Sequence, residues 1–144
     1  MIDTSGPRVR HPTRLAATLL AFTLVLLGWS AYHPKETFTW FLEVSPAIVA
    51  IIVLLATYRR FPLTRLSYTL IAIHACILII GGHYTYAEVP AGLWLKEALD
   101  LSRNHYDRLG HFAQGFVPAA IAREVLLRTS PLTRGKWLAF LVFC

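Results

Sequence analysis

The sequence predicts an all-α fold: a polytopic bundle of transmembrane helices with four complete spans, the start of a fifth and a cytoplasmic N-terminus. Three observations predict it. Hydrophobic residues make up 56% of the 144-residue chain and charged residues only 15%, against roughly 25% in soluble domains; the mean hydropathy is +0.51. The apolar residues gather in runs long enough to cross a bilayer core of ~30 Å. The positive residues sit in short clusters between those runs, which is the pattern that orients membrane proteins. The net charge of +6 therefore does not point to nucleic acid, since no base-reading motif or stacking platform accompanies it.

Residues 1–14 are polar and basic, with Arg8, Arg10, His11 and Arg14, and read as a cytoplasmic tail. Leu15 to Tyr32 carries no charge over 18 residues and forms the first span. A cleaved signal peptide is the rival, with Gly28-x-Ser30 as its cleavage site, but the run is long for a signal core. His33-Pro34-Lys35-Glu36 is a tight turn. The second span covers 37–58, with an aromatic interface belt at Phe38, Trp40 and Phe41, and it carries Glu43 and Pro46. A basic loop from Arg59 to Arg65 leads to the third span, 66–87, which holds His74, Cys76, the pair Gly81-Gly82, His83, Tyr84 and Tyr86. The glycine pair weakens a helix but permits close backbone approach.

Val89-Pro90-Ala91-Gly92 turns the chain into an amphipathic stretch at 93–102, expected to lie on the membrane surface. The fourth span covers 107–127 and is interrupted by Pro118, which frees the carbonyl of Gln114. Residues 137–144 are apolar, but eight residues cannot span a bilayer. This predicts an intact protein that continues with at least one further helix. The two cysteines, Cys76 and Cys144, have no metal-type spacing and say nothing of redox compartment. With the N-terminus inside, ten Lys and Arg fall on the inner side and four (Lys35, Lys96, Arg103, Arg108) on the outer side, which sets the orientation.

That topology gathers a polar constellation at one depth. Glu43 falls near the outer end of span two, His83, Tyr86 and Glu88 at the outer end of span three, and Asp107 and His111 at the outer end of span four. Asp107, His111 and Gln114 recur at i, i+4 and i+7, on one helix face. An ionisable group in hydrocarbon is costly unless it meets a partner or water. The expectation is a water-accessible pocket in the outer leaflet, roofed by the surface helix. His111 and Asp107 are its candidate base and orienting carboxylate. His83, Glu43, Tyr86, Glu88 and Gln114 are candidate binding residues. Alternatively His83, His111, Asp107 and Glu43 hold a divalent metal, two histidines and carboxylates being a reasonable ligand set.

Each residue also has a plainer role. Asn104-x-x-Asp107 resembles a capping box, so Asp107 could simply cap the fourth helix. His111 could bond a neighbouring helix, and His83 could be an interfacial histidine. Arg123-Glu124 is expected at the inner interface, with a structural role. Signatures of serine hydrolases, P-loop and Rossmann proteins and zincins are absent from the sequence. Three functions fit: action on a lipid or envelope substrate, non-enzymatic binding or transport of a small ligand or lipid, and a structural or assembly role. Membrane lipids are the expected surroundings and an envelope lipid or small molecule the expected ligand; nucleic acid is not an expected partner.

The runs GGHYTYAEVP at 81–90 and RNHYDRLGHFAQGFVPA at 103–119 closely resemble the YjdF-like family of uncharacterised bacterial inner-membrane proteins. The resemblance covers most of the chain. It implies a polytopic helical protein of the bacterial cytoplasmic membrane, with a longer chain of roughly six spans and no established activity. A shorter resemblance joins Asp107-Arg108-x-x-His111-Phe112 to the D-K-x-x-H-F segment of VanZ-like membrane proteins, with Arg108 in place of Lys. It links Asp107 to His111 and carries no activity.

Overall fold

A computed structural model describes residues 13–143. The expected tail lies almost wholly outside them, as does Cys144. Six α-helices follow in order: α1 Thr13–Ser30, α2 Thr37–Thr57, α3 Arg65–Tyr84, α4 Pro90–Ala98, α5 Tyr106–Thr129 and α6 Lys136–Phe143, with a 3-10 turn at Tyr86–Glu88 between α3 and α4. There is no strand among the described residues. Helices α1, α2 and α3 are each long and apolar enough to cross a membrane. Helix α5 has the length, 24 residues or ~36 Å, but His111, Gln114 and the charges at its ends leave it outside that group.

Helix α3 is the centre of the bundle. Helices α1, α2 and α5 each pack along it, and α6 packs on α5. The core is Val44 and Ala47 of α2 against Ala75, Leu78 and Ile79 of α3, with Leu26 and Leu27 of α1 closing over it. Small side chains on α3 let two neighbours approach at once. Phe22, Val25, Ile52, Leu55 and Ile73 point outward, as expected where hydrocarbon rather than water surrounds the helix.

Four threonine hydroxyls in the spans are satisfied by their own helix. Thr18 donates to the carbonyl of Arg14, Thr23 to Leu19, Thr57 to Val53 and Thr69 to Arg65. Pro46 cannot donate to the carbonyl of Leu42 four residues back. Ser45 supplies the missing donor, its Oγ lying 2.9 Å from that oxygen. At one end the bundle is pinned by Ser30, which donates from Oγ to the carbonyl of Ile79 at 3.0 Å. The same Oγ accepts from Trp40 Nε1 at 2.7 Å, so one hydroxyl ties α1, α2 and α3 together.

Two boundaries differ from the sequence reading. Helix α3 stops at Tyr84, not at residue 87, because Thr85 takes φ 59° and turns the chain back. The surface helix starts at Pro90 and ends at Ala98 rather than covering 93–102. Proline suits its first turn, where its missing N–H costs nothing. Asp100 at φ 50° closes it, with Leu101 N–H reaching the carbonyl of Lys96 at 2.8 Å. That is the usual left-handed helix stop, which the pattern of apolar residues does not reveal. Beyond Gly92, α4 is exposed apart from half-buried Lys96, and it packs on the 3-10 turn.

Candidate functional site

The end of the bundle that carries Ser30, Tyr84 and Tyr106 holds the polar cluster. Its foundation is a pair of glycines. A Cβ built on Gly81 of α3 would sit 2.7 Å from Tyr86 Cζ, and one on Gly110 of α5 would sit 2.7 Å from Tyr86 Cε1. The Tyr86 ring therefore lies between two helices where any side chain would exclude it. The turn at Thr85 aims it there. On the neighbouring face, a Cβ on Gly82 would meet Glu43 Cβ at 3.2 Å. Glu43 of α2 is thereby brought beside α3 at the level of Tyr86.

Tyr86 and Glu43 form the inner part of the site. Burial pushes the Tyr86 hydroxyl well above the usual phenol range, and the negative charge of the nearby Glu43 carboxylate adds to the rise. Tyr106 and Asp107 contribute to the same shift, so both lie within electrostatic reach. Tyr106 packs on Tyr86 with ring centroids 5.9 Å apart and donates to the carbonyl of Ile77 at 3.0 Å. This holds the start of α5 against α3.

The outer part is Asp107 with His111. Asp107 Oδ1 lies 3.3 Å from His111 Nε2, one turn along α5, with the Asp side chain 47% and the His side chain 73% exposed. Asp107 is not needed as the cap. The N-cap of α5 is His105, and Asn104 Oδ1 accepts from Tyr106 N–H at 2.9 Å. Asn104 Nδ2 also donates to the carbonyls of Ala87 and Val89 at 3.1 and 3.2 Å. One amide thus staples the segment carrying Tyr86 to the start of α5, and Gly92 leaves room for it.

At this end the structure groups Glu43, Tyr86, Asp107 and His111 and turns the other candidates away from them. His83 turns to α1, where Nδ1 donates to the carbonyl of Ser30 at 2.9 Å and the ring lies 4.4 Å from Trp29. Glu88 is exposed and forms an ion pair with Lys35. Gln114 is exposed on α5, one turn beyond His111. The four-residue metal set is accordingly not assembled: among the described residues no three His, Cys, Asp or Glu side chains converge as metal ligands. His83 shares a depth with the others but not a direction, and depth is all that the topology argument determines.

Sequence reasoning missed Gly110 and Tyr106 as parts of this site. The signal for Gly110 was available, since a glycine in the interior of a helix invites a close neighbour. It also missed Asn104 as a staple, because its partners are carbonyls 15 and 17 residues away.

Comparison with known proteins bears on this arrangement at the level of family. Residues 15–144 match a family described as predicted membrane protein (DUF2238). The inner membrane protein YjdF of Escherichia coli (strain K12) is 50% identical over 137 residues. The match takes in 95% of this chain and 65% of that protein, so the chain spans less than two thirds of this relative's length. No solved structure matches. Glu43, Tyr86, Asp107 and His111 all fall within the matched residues, and the chain belongs to the DUF2238 family of predicted membrane proteins.

Proposed function

We propose that the chain is the membrane-embedded body of a bacterial inner-membrane protein that acts on a lipid or cell-envelope substrate at the Glu43, Tyr86, Asp107 and His111 site. The observation that carries this reading is the pairing of an exposed His111 with Asp107, 3.3 Å apart, beside half-buried Tyr86 and Glu43. A carboxylate on one imidazole nitrogen sets the tautomer and orients the ring. His111 serves as general base or acid toward a substrate hydroxyl or phosphate. Tyr86, kept neutral, offers and accepts hydrogen bonds without adding charge. The relative's name, an inner membrane protein, supports the location.

In this reading α5 is the fourth span. Its charges lie within the first and last turns or two, where side chains reach the interface, and its face toward α3 is buried at Gly110, Ala113 and Val117. The N-terminus is cytoplasmic, which puts the site on the outer side, where Trp94 of α4 and Leu99 just after it (69% and 60% exposed) are fit to rest in the headgroup layer.

A non-enzymatic binder using the same four residues is the second reading, favoured by the exposure of the site. Lipid extracts of cells producing the intact protein, or its His111→Ala or Asp107→Asn form at equal abundance, separate the two. An enzyme changes the envelope-lipid profile, and both variants abolish the change. A binder leaves the profile unchanged, while a lipid copurifies with the wild type and is lost on Glu43→Gln. A profile unchanged in all strains, with no bound lipid, contradicts both.

A further inference from the structure

The opposite end of the bundle contains a second feature, unrelated to the polar site. Helices α1 and α2 both pack on α3 but spread away from one another toward Thr13 and Tyr58. Pinned together at Ser30 and Trp40, they enclose an apolar cleft floored by Ala72 and Ala75 of α3 and walled by Leu20 and Leu54. Its volume is 210 Å³.

Its length and lining point to the occupant. The lining runs from Thr13 to Thr23 on α1 and from Tyr58 back to Ala47 on α2. Eleven or twelve helical residues cover ~17 Å, about half of a ~30 Å hydrocarbon core. The cleft is therefore about one leaflet deep. Apart from Thr13, Thr23, Tyr58 and Tyr68 it is lined by alanine, leucine and isoleucine, which suits a hydrocarbon chain.

Its mouth is polar and positive. Tyr58 lines the cleft, and its hydroxyl is buried with no hydrogen-bond partner among the described residues. A buried hydroxyl without a partner is unusual, because leaving it unsatisfied is costly. Arg59 and Arg60 follow directly after Tyr58, and Arg14 adjoins Thr13. All three arginines are exposed, and none forms an ion pair among the described residues. The three arginines thus stand at the same end of the bundle as Tyr58, where their charge favours an anion.

We infer that this cleft binds an anionic glycerophospholipid, one acyl chain between α1 and α2 and the phosphate at Tyr58, Arg59, Arg60 and Arg14. Arginines bind phosphate in paired hydrogen bonds, and the apolar walls hold the chain.

Native mass spectrometry of the full-length protein, delipidated and supplied with palmitoyl-oleoyl phosphatidylglycerol, tests this against phosphatidylcholine with the same chains. One phosphatidylglycerol should stay bound where phosphatidylcholine does not. Arg59→Gln with Arg60→Gln should weaken retention by about fivefold for each charge removed. Ala17→Phe, which fills the cleft from the exposed side of α1, should abolish it while leaving all arginines in place. Size-exclusion profile and helical circular dichroism establish that each variant is folded. Equal retention of the two lipids, retention undiminished by Ala17→Phe in a folded protein, or a dimer that retains neither lipid would each overturn the inference.

Discussion

Tyr86 carries the candidate site, and its environment can be tested one residue at a time. Gly81→Ala or Gly110→Ala places a methyl group within 3 Å of the ring, so the ring or a helix has to move. The expected cost is about 1–3 kcal/mol, as for other overpacked positions, read as a lower thermal midpoint in detergent. Gly28 has nothing within 4 Å. Gly28→Ala should hold or raise the midpoint, because alanine favours a helix by up to ~1 kcal/mol. The same ring has a signature in pH. Its folded pKa is raised, by burial first and by Glu43 second, so the neutral phenol is the form that folding favours. Its contribution is complete below the unfolded pKa of ~10 and falls as pH climbs from there through the folded value. Ultraviolet titration should show late-ionising tyrosines, the latest of them absent in Tyr86→Phe and shifted down in Glu43→Gln.

At the scale of elements, the clearest test lies at the end away from the site. Glu124 of α5, with a side chain only 10% exposed, accepts from Thr64 N–H and Thr64 Oγ1, each at 2.8 Å, and from Ser67 Oγ. Arg128 also reaches it at 2.8 Å, donates to the carbonyl of Pro62 and covers the Phe61 ring at 4.0 Å. One carboxylate therefore caps α3 and locks the basic loop to α5. Glu124→Ala should cost about 2–3 kcal/mol, in the range for hydrogen bonds to charged groups. Lys35→Ala, which breaks an exposed ion pair, should stay within ~1 kcal/mol. Both are read from thermal unfolding. The start of α2 and the apolar extent of the first three helices were legible in the sequence, because uninterrupted hydropathy and charge clusters depend on composition alone. The ends of α3 and α4 were not, since Thr85 and Asp100 adopt left-handed φ where glycine or asparagine is usual. The direction of His83 was equally hidden. Its partner is the carbonyl of Ser30, a backbone group 53 residues away that leaves no mark in residue type.

For the whole molecule, the hub role of α3 explains why site residues from three segments meet. Helix α2 delivers Glu43 to one side of α3, α5 delivers Asp107 and His111 to another, and the turn after α3 folds Tyr86 between α3 and α5. Alternation of helix direction then places the basic residues Arg59, Arg60, Arg65, Arg123, Arg128, Arg134 and Lys136 at the far end. The common depth of Glu43, Tyr86 and Asp107 could be read from span counting. Their convergence could not, because it depends on the glycines that let α3, α5 and the Tyr86 ring close on one another. The central claim is that this convergence forms a site open to the envelope side of the membrane. Labelling of intact cells with a membrane-impermeant maleimide tests it most directly, with Cys76 and Cys144 replaced by alanine and a single cysteine introduced. His111→Cys should label from outside without permeabilisation, while Gly135→Cys at the opposite end should label only after the membrane is opened. Labelling of position 135 from outside, with position 111 protected until permeabilisation, would contradict the account.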